Sequence, residues 1–291
     1  MAWVVRRAGF WWLALPLALA GVSSGLAAQD VLPAPAPVGP RYVSMGSSFA
    51  AGPGVTVSAD VPANRCARSA DNYARQLARR RHYVLVDVAC SGATTEHVLG
   101  PWNELAPQIE AVTPDTALVT VTVGGNDVSF VRDLIAFACA AGPQPPVGAP
   151  GGKCPTVAVP AEADWRALAV ALDRMAGEVR RRAPRAQLVF VQYVQMVPLR
   201  GSCAAVPISP VGLATVRAIQ GRLLKVTARV ARQWHARIVD PREPGAAHDP
   251  CSAAPWASGF PDGKGAPFVP FHPNLSGMTA IADRLDRIVH P

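Results

Sequence analysis

From residue 41 onward, short β-branched runs alternate with longer stretches of helical apolar periodicity. Runs at 42–45, 83–89, 117–123, 187–193 and 237–239 read as strands, and stretches at 72–81, 128–139, 163–182, 210–235 and 274–289 read as helices. Strands separated by helices long enough to cross back over a sheet predict an α/β fold, with a mostly parallel five-stranded sheet covered on both faces. No internal repeat and no second set of elements is visible, so one domain is expected. Two stretches break the rhythm. Residues 141–160 are rich in Gly and Pro, and 241–270 form a long loop with Gly, Pro and aromatic residues that leads to His272. Loops longer than about 12–15 residues inside a compact domain are usually functional or disordered.

Composition changes this picture little. The chain has 291 residues, 50% hydrophobic and 16% charged, which suits a large buried core and excludes a solvated tail. A surplus of 28 Lys+Arg over 20 Asp+Glu gives +8, a balance compatible with nucleic acid, an anionic surface or plain solubility. Position decides. Arg6 and Arg7 precede the apolar run 8–20, and small residues around Ser23, Ser24, Ala27 and Ala28 follow, the pattern of a secretory signal peptide. The run is short for a spanning helix, which needs roughly 20 residues. The expected organisation is a signal peptide at 1–28, a Pro-rich spacer at 29–40 and one domain at 41–291, with a secreted or periplasmic product. Loss of the leader lowers the charge from +8 to +6. The remaining basic runs, Arg79 to Arg81 and Arg180 to Arg182, lie at helix ends, where cations favour the dipole. Nucleic acid is therefore not expected as a partner.

Six cysteines, Cys66, Cys90, Cys139, Cys154, Cys203 and Cys251, follow the leader, and none forms a C-x-x-C pair. In an exported chain an even number without metal spacing favours disulfides over zinc. Sequence alone does not choose among the fifteen pairings that six cysteines allow. The economical expectation is sequential: Cys66 with Cys90, Cys139 with Cys154, Cys203 with Cys251.

Ligands of open parallel sheets bind beyond the carboxyl ends of the strands, near the point where strand order reverses. The first three strands run into small glycine-bearing turns: Gly46-Ser47-Ser48, Cys90-Ser91-Gly92-Ala93-Thr94-Thr95 and Gly124-Gly125-Asn126-Asp127. A serine hydrolase needs a hydroxyl nucleophile, a base and donors for the oxyanion. Ser48 can supply the hydroxyl and its own N–H, Gly92 an N–H with no side chain in the way, and Asn126 an amide. The base must come from elsewhere in the chain. His272, stiffened by Pro273 and followed by the potential cap Asn274, is the favoured histidine, with His248 a weaker one. A rival nucleophile-elbow pattern, G-x-S-x-G at 21–25, lies in the leader with no strand before it and is set aside.

Taken in order, Ser48, Gly92, Asn126 of the Gly-x-Asn turn and His272 resemble the four sequence blocks of the SGNH hydrolases, also called GDSL esterases and lipases. The resemblance runs from Tyr42 to about Ile288. The Cys-Ser-Gly-Ala-Thr-Thr segment and the six cysteines look most like secreted actinobacterial-type esterases with three disulfides. It implies a flavodoxin-like three-layer α/β/α sandwich and ester hydrolysis without metal or cofactor. Ser48 would be the nucleophile, His272 the base, and Ser48, Gly92 and Asn126 the oxyanion hole.

Two departures stand out. The Asp of the family's Gly-Asp-Ser block is Ser47, and the Asp three residues before the histidine is Val269. Some relatives use a backbone carbonyl in place of that acid, so the Val269 carbonyl is expected to orient His272, with Asp262 or Asp249 as side-chain substitutes. Trp256, Phe260 and Phe268 either wall an acyl pocket or pack within their own loop. The expected partner is a small-molecule or lipid ester, the expected state a monomer without a membrane span once the leader is cut. A catalytically silent carbohydrate- or surface-binding protein of the same fold is the alternative.

Overall fold

A computed structural model describes residues 38–141, 153–242, 245–260 and 269–289. The expected leader and most of the spacer lie outside the described residues, as do Asp262 and Phe268. In chain order the elements are β1 (Arg41–Gly46), α1 (Ser48–Ala51), α2 (Tyr73–Arg81), β2 (Val84–Asp87), α3 (Thr95–Leu99), β3 (Thr116–Thr122), α4 (Phe130–Ala141), α5 (Glu162–Arg182), β4 (Gln187–Val191), α6 (Pro210–Gln233), β5 (Arg237–Val239) and α7 (Leu275–Ile288). A 3-10 turn, Gln108–Ala111, precedes β3.

The five strands form one parallel sheet in the order β2-β1-β3-β4-β5. Crossovers of parallel strands are right-handed, so the connection that steps from β1 to β2 covers the face opposite to those that step the other way. Accordingly α2 packs with α7 on one side, while α3, α5 and α6 pack together on the other. This is the flavodoxin-like three-layer sandwich. Apolar residues at helical spacing on α5, from Trp165 through Leu168, Leu172 and Met175 to Val179, are all buried. The last turn of α2 is tied to α7 by ion pairs of Arg80 with Asp283 and Arg81 with Asp286. In the second basic run Arg180 donates to the carbonyls of Ala186 and Trp234, and Arg181 and Arg182 pair with Glu178.

The five expected strands and five long helices are all present. The second strand is shorter than expected because its pairing with β1 ends at Ser44 opposite Asp87, after which the chain turns toward Cys90. The single-turn helices α1 and α3 are too short to carry a periodicity. Disulfides join Cys66 to Cys90, Cys139 to Cys154 and Cys203 to Cys251. Among the described residues no helix is long and apolar enough to cross a membrane.

Strand order reverses between β1 and β3, and the backbone there is fixed tightly. Gly46 ends β1 with φ of +134°, and a Cβ on it would lie 2.2 Å from the Thr122 carbonyl oxygen. The buried Gln108 side chain accepts from the Gly46 N–H at 2.7 Å and donates to its carbonyl at 3.0 Å. No residue with a Cβ fits this position without separating β1 from β3. Gly46→Ala is expected to cost about 3 kcal/mol or more from strain and overpacking. Chemical denaturation measures it, and an unchanged midpoint would refute the tight approach.

Candidate active site

Ser48 stands immediately beyond the end of β1, where the Ser47 N–H donates to the Thr122 carbonyl at 2.9 Å and pins the turn to β3. The chain then makes one helical turn and leaves through Gly52 in the left-handed conformation. Ser48 is 7% exposed. Its N–H and that of Gly92 meet no hydrogen-bond acceptor among the described residues.

The histidine arrives on a braced segment. The Ser258 N–H donates to the His272 carbonyl at 2.9 Å, and the Asn274 N–H donates to that of Trp256 at 3.0 Å. The Asn274 side chain donates to the Pro255 carbonyl at 2.7 Å and accepts from the Gly277 N–H at 3.0 Å, capping α7. The close approach of the Trp256 carbonyl requires a glycine at 277, since a Cβ there would sit 2.1 Å from its oxygen. Cys203–Cys251 ties this loop to the connection after β4.

His272 Nε2 lies 2.7 Å from Ser48 Oγ, and its Nδ1 lies 2.8 Å from the carbonyl oxygen of Pro270. A carbonyl only accepts, so Nδ1 carries the proton and the lone pair of Nε2 faces the Ser48 hydroxyl, which donates to it. The expectation of the Val269 carbonyl is corrected by one residue. Phe271 adopts a left-handed backbone with φ of +53°, held by complete burial beside Phe260, and this curls the adjacent Pro270 carbonyl back onto the ring. Of the side-chain substitutes, Asp249 is engaged by the Cys251 N–H at 2.7 Å. No carboxylate therefore touches His272 among the described residues. Burial pushes its pKa down from 6.5 to about 4, the Pro270 hydrogen bond opposing in part. The imidazole is consequently neutral near pH 7, the form a base requires.

The second turn is pinned from three sides. The Cys90 N–H donates to the Gly46 carbonyl at 3.0 Å, the Ser91 N–H to that of Cys66 at 3.1 Å, and the Cys66–Cys90 disulfide joins the two strands of chain. Gly92 itself has φ of +86°. Asn126 Nδ2 donates to the Ala93 carbonyl at 2.8 Å, which spends one amide hydrogen and fixes the other. Asp127 accepts from the Thr95 N–H and hydroxyl, binding the third turn to the second; burial raises its pKa and the Thr95 bonds lower it. Ser48, Gly92, Asn126 and His272 thus lie on turns that are tied to one another.

His248 is not part of this cluster, since it bonds the Ala254 carbonyl at 2.7 Å and stacks on Trp256 at 4.2 Å. Trp256 lies against His248 and Arg284 of α7, and Phe260 packs in the core against Phe271. Gln108 and Tyr193, whose hydroxyl accepts from the Gly125 N–H at 2.7 Å, carry no motif in the sequence, and Asp127 stands in the third turn without an expected role. Tyr193 follows the end of the fourth strand and so lies on the same carboxyl edge as the first three turns.

Fold and site define a class of protein, the three-layer α/β serine ester hydrolases. The chain belongs to the GDSL-like Lipase/Acylhydrolase family, whose model matches residues 44–280. It is 31% identical to Lipase 2 of Streptomyces coelicolor over 91% of this chain and 92% of the relative. Its fold is similar to that of an extracellular lipase from Streptomyces rimosus, with 26% identity, a TM-score of 0.66 and coverage of 86% of this chain and 100% of the other. A phospholipase A1 from Streptomyces albidoflavus shares the fold at 23% identity, with a TM-score of 0.67 over 87% of this chain and 100% of the other.

Unfolded, the His272 imidazole would take a proton near 6.5; folded, only near 4. The stability it contributes is complete above pH 6.5 and drains away as pH falls toward 4. Side-chain NMR of His272 is expected to show a titration midpoint near 4. A midpoint near 6.5 would mean that the ring is solvated.

Proposed function

We propose that the protein is an exported esterase or lipase that hydrolyses carboxylic esters through an acyl-enzyme on Ser48. The observation that carries this reading is the 2.7 Å contact between Ser48 Oγ and the unprotonated nitrogen of His272. As Oγ attacks the ester carbonyl, its proton passes to Nε2 and negative charge gathers on the carbonyl oxygen. The Ser48 and Gly92 N–H groups and the remaining Asn126 amide hydrogen hold that charge. Collapse expels the alcohol, which takes the proton from Nε2. Water then attacks the acyl group, giving a proton to Nε2, and Ser48 leaves with it.

The absent acid does not remove the orienting role, because the Pro270 carbonyl holds the tautomer that a carboxylate would otherwise hold. It does leave the imidazolium of the transition state with a dipole for a partner rather than a full charge. The reading as a silent binding protein rests only on the two missing carboxylates, and the 2.7 Å contact between Ser48 and His272 is present without them. Export is supported by the 1–28 pattern, by three disulfides and by similarity to a lipase described as extracellular. Lipid esters are favoured as substrates by the names of the relatives.

Ser48→Ala is expected to abolish turnover of p-nitrophenyl esters while leaving the melting midpoint nearly unchanged. Retained turnover would remove Ser48 from the mechanism. Among acyl chains of graded length, kcat/KM is expected to be higher for medium and long chains than for acetate; an acetate maximum would exclude the lipase reading.

A further inference from the structure

We propose that Tyr193 is a positioning residue for this reaction, locking together the turn that carries Ser48 and the turn that carries Asn126. The proposal rests on the Ser48 reading above. Tyr193 lies two residues past the end of β4 and is 3% exposed. Its hydroxyl accepts from the Gly125 N–H at 2.7 Å, and Gly125 immediately precedes Asn126. Glycine is required there, since a Cβ at 125 would fall 2.6 Å from the tyrosine oxygen. The tyrosine ring packs on Phe49, centroids 4.5 Å apart, and edge-on to Phe130 at 5.8 Å. Phe49 follows Ser48 in the chain and lies against the His272 ring at 4.8 Å. One side chain therefore touches the neighbours of all three groups: nucleophile, base and amide.

Ser47, in the place of the family's usual Asp, donates to the Thr122 carbonyl at 3.4 Å. Ser47 is 2% exposed, where a neutral hydroxyl avoids burying a charge. Burial holds the Tyr193 phenol protonated. Its bond to Gly125 fixes the third turn, and the Ser47 N–H and hydroxyl pin the first turn to the Thr122 carbonyl at the end of β3. Tyr193 is buried, so its effect is on placement, to which rates respond steeply: misplacement by about 1 Å can cost about 100-fold.

Tyr193→Phe keeps the ring and deletes the hydroxyl, leaving the Gly125 N–H buried without its acceptor. With a p-nitrophenyl ester, kcat is expected to fall about 10-fold or more while KM changes less than about 2-fold. If the tyrosine acts through the Asn126 turn, the same substitution made on an Asn126→Ala background should cost far less than in the wild type. Equal losses on both backgrounds, or an unchanged kcat, would overturn the proposal and leave Tyr193 a core residue. Should Tyr193→Phe fail to fold, Gly125→Ala, whose Cβ would fall 2.6 Å from the tyrosine oxygen and press the hydroxyl away from the turn, is expected to show the same kcat loss and non-additivity with Asn126→Ala. Full kcat in Gly125→Ala would then overturn it. An active Ser48→Ala variant would instead defeat the underlying reading, whatever Tyr193 does.

Discussion

The carboxyl edge of this sheet is organised around a short line of hydrogen bonds, from the Pro270 carbonyl to His272 Nδ1 and from the Ser48 hydroxyl to Nε2. Because a carbonyl has no proton to give, the line has only one polarity, and it leaves the basic nitrogen facing the serine. Ser48 and His272 are buried and Pro270 is half-buried, which limits the access of water to the line. The cost of that burial is visible in the depressed affinity of His272 for a proton. A carboxylate in the Pro270 position would raise that affinity and stabilise the imidazolium. Among the described residues the polypeptide supplies His272 with orientation and no charge, and under the proposed mechanism the burden of stabilising the transition state shifts toward the donors around the oxyanion.

The proposed mechanism fits the number of bonds that hold the three turns still. Asn126 is anchored on Ala93, Asp127 on Thr95, Cys90 on Gly46 and on Cys66, and Gly125 on Tyr193. Each of these bonds crosses from one turn to another or to a strand end, rather than closing within one turn. The histidine is held in the same manner, by Asn274 and the backbone of 256–258. Preorganised donors do not have to reorient as charge develops, which is where the catalytic advantage of such sites lies.

Most of the architecture was legible in the sequence because parallel strands and crossover helices write strong local patterns. Five β-branched runs and five amphipathic stretches gave the layers, and glycine-bearing turns after strands marked the edge where Ser48, Gly92 and Asn126 sit. The sequential cysteine pairing also matches the structure. What could not be read was local geometry set by tertiary packing. The left-handed backbone at Phe271, which selects Pro270 over Val269, is imposed on a non-glycine residue by its burial. Tyr193 and Gln108 act through contacts distant in the chain, at sequence separations of 68 and 62 from their partners, and no periodicity announces them. The aromatic residues of the long loop fitted either a substrate wall or packing, and Trp256 and Phe260 pack on the loop, on α7 and on the core.

We propose Ser48 as a nucleophile activated by a carbonyl-oriented His272. Labelling with a fluorophosphonate, followed by peptide mapping, tests it most directly, since the reagent traps only an activated serine. One adduct per chain is expected, on Ser48, and its formation should stop in a His272→Ala variant that remains folded. An unlabelled wild-type protein, or an adduct on a different serine, would contradict the account.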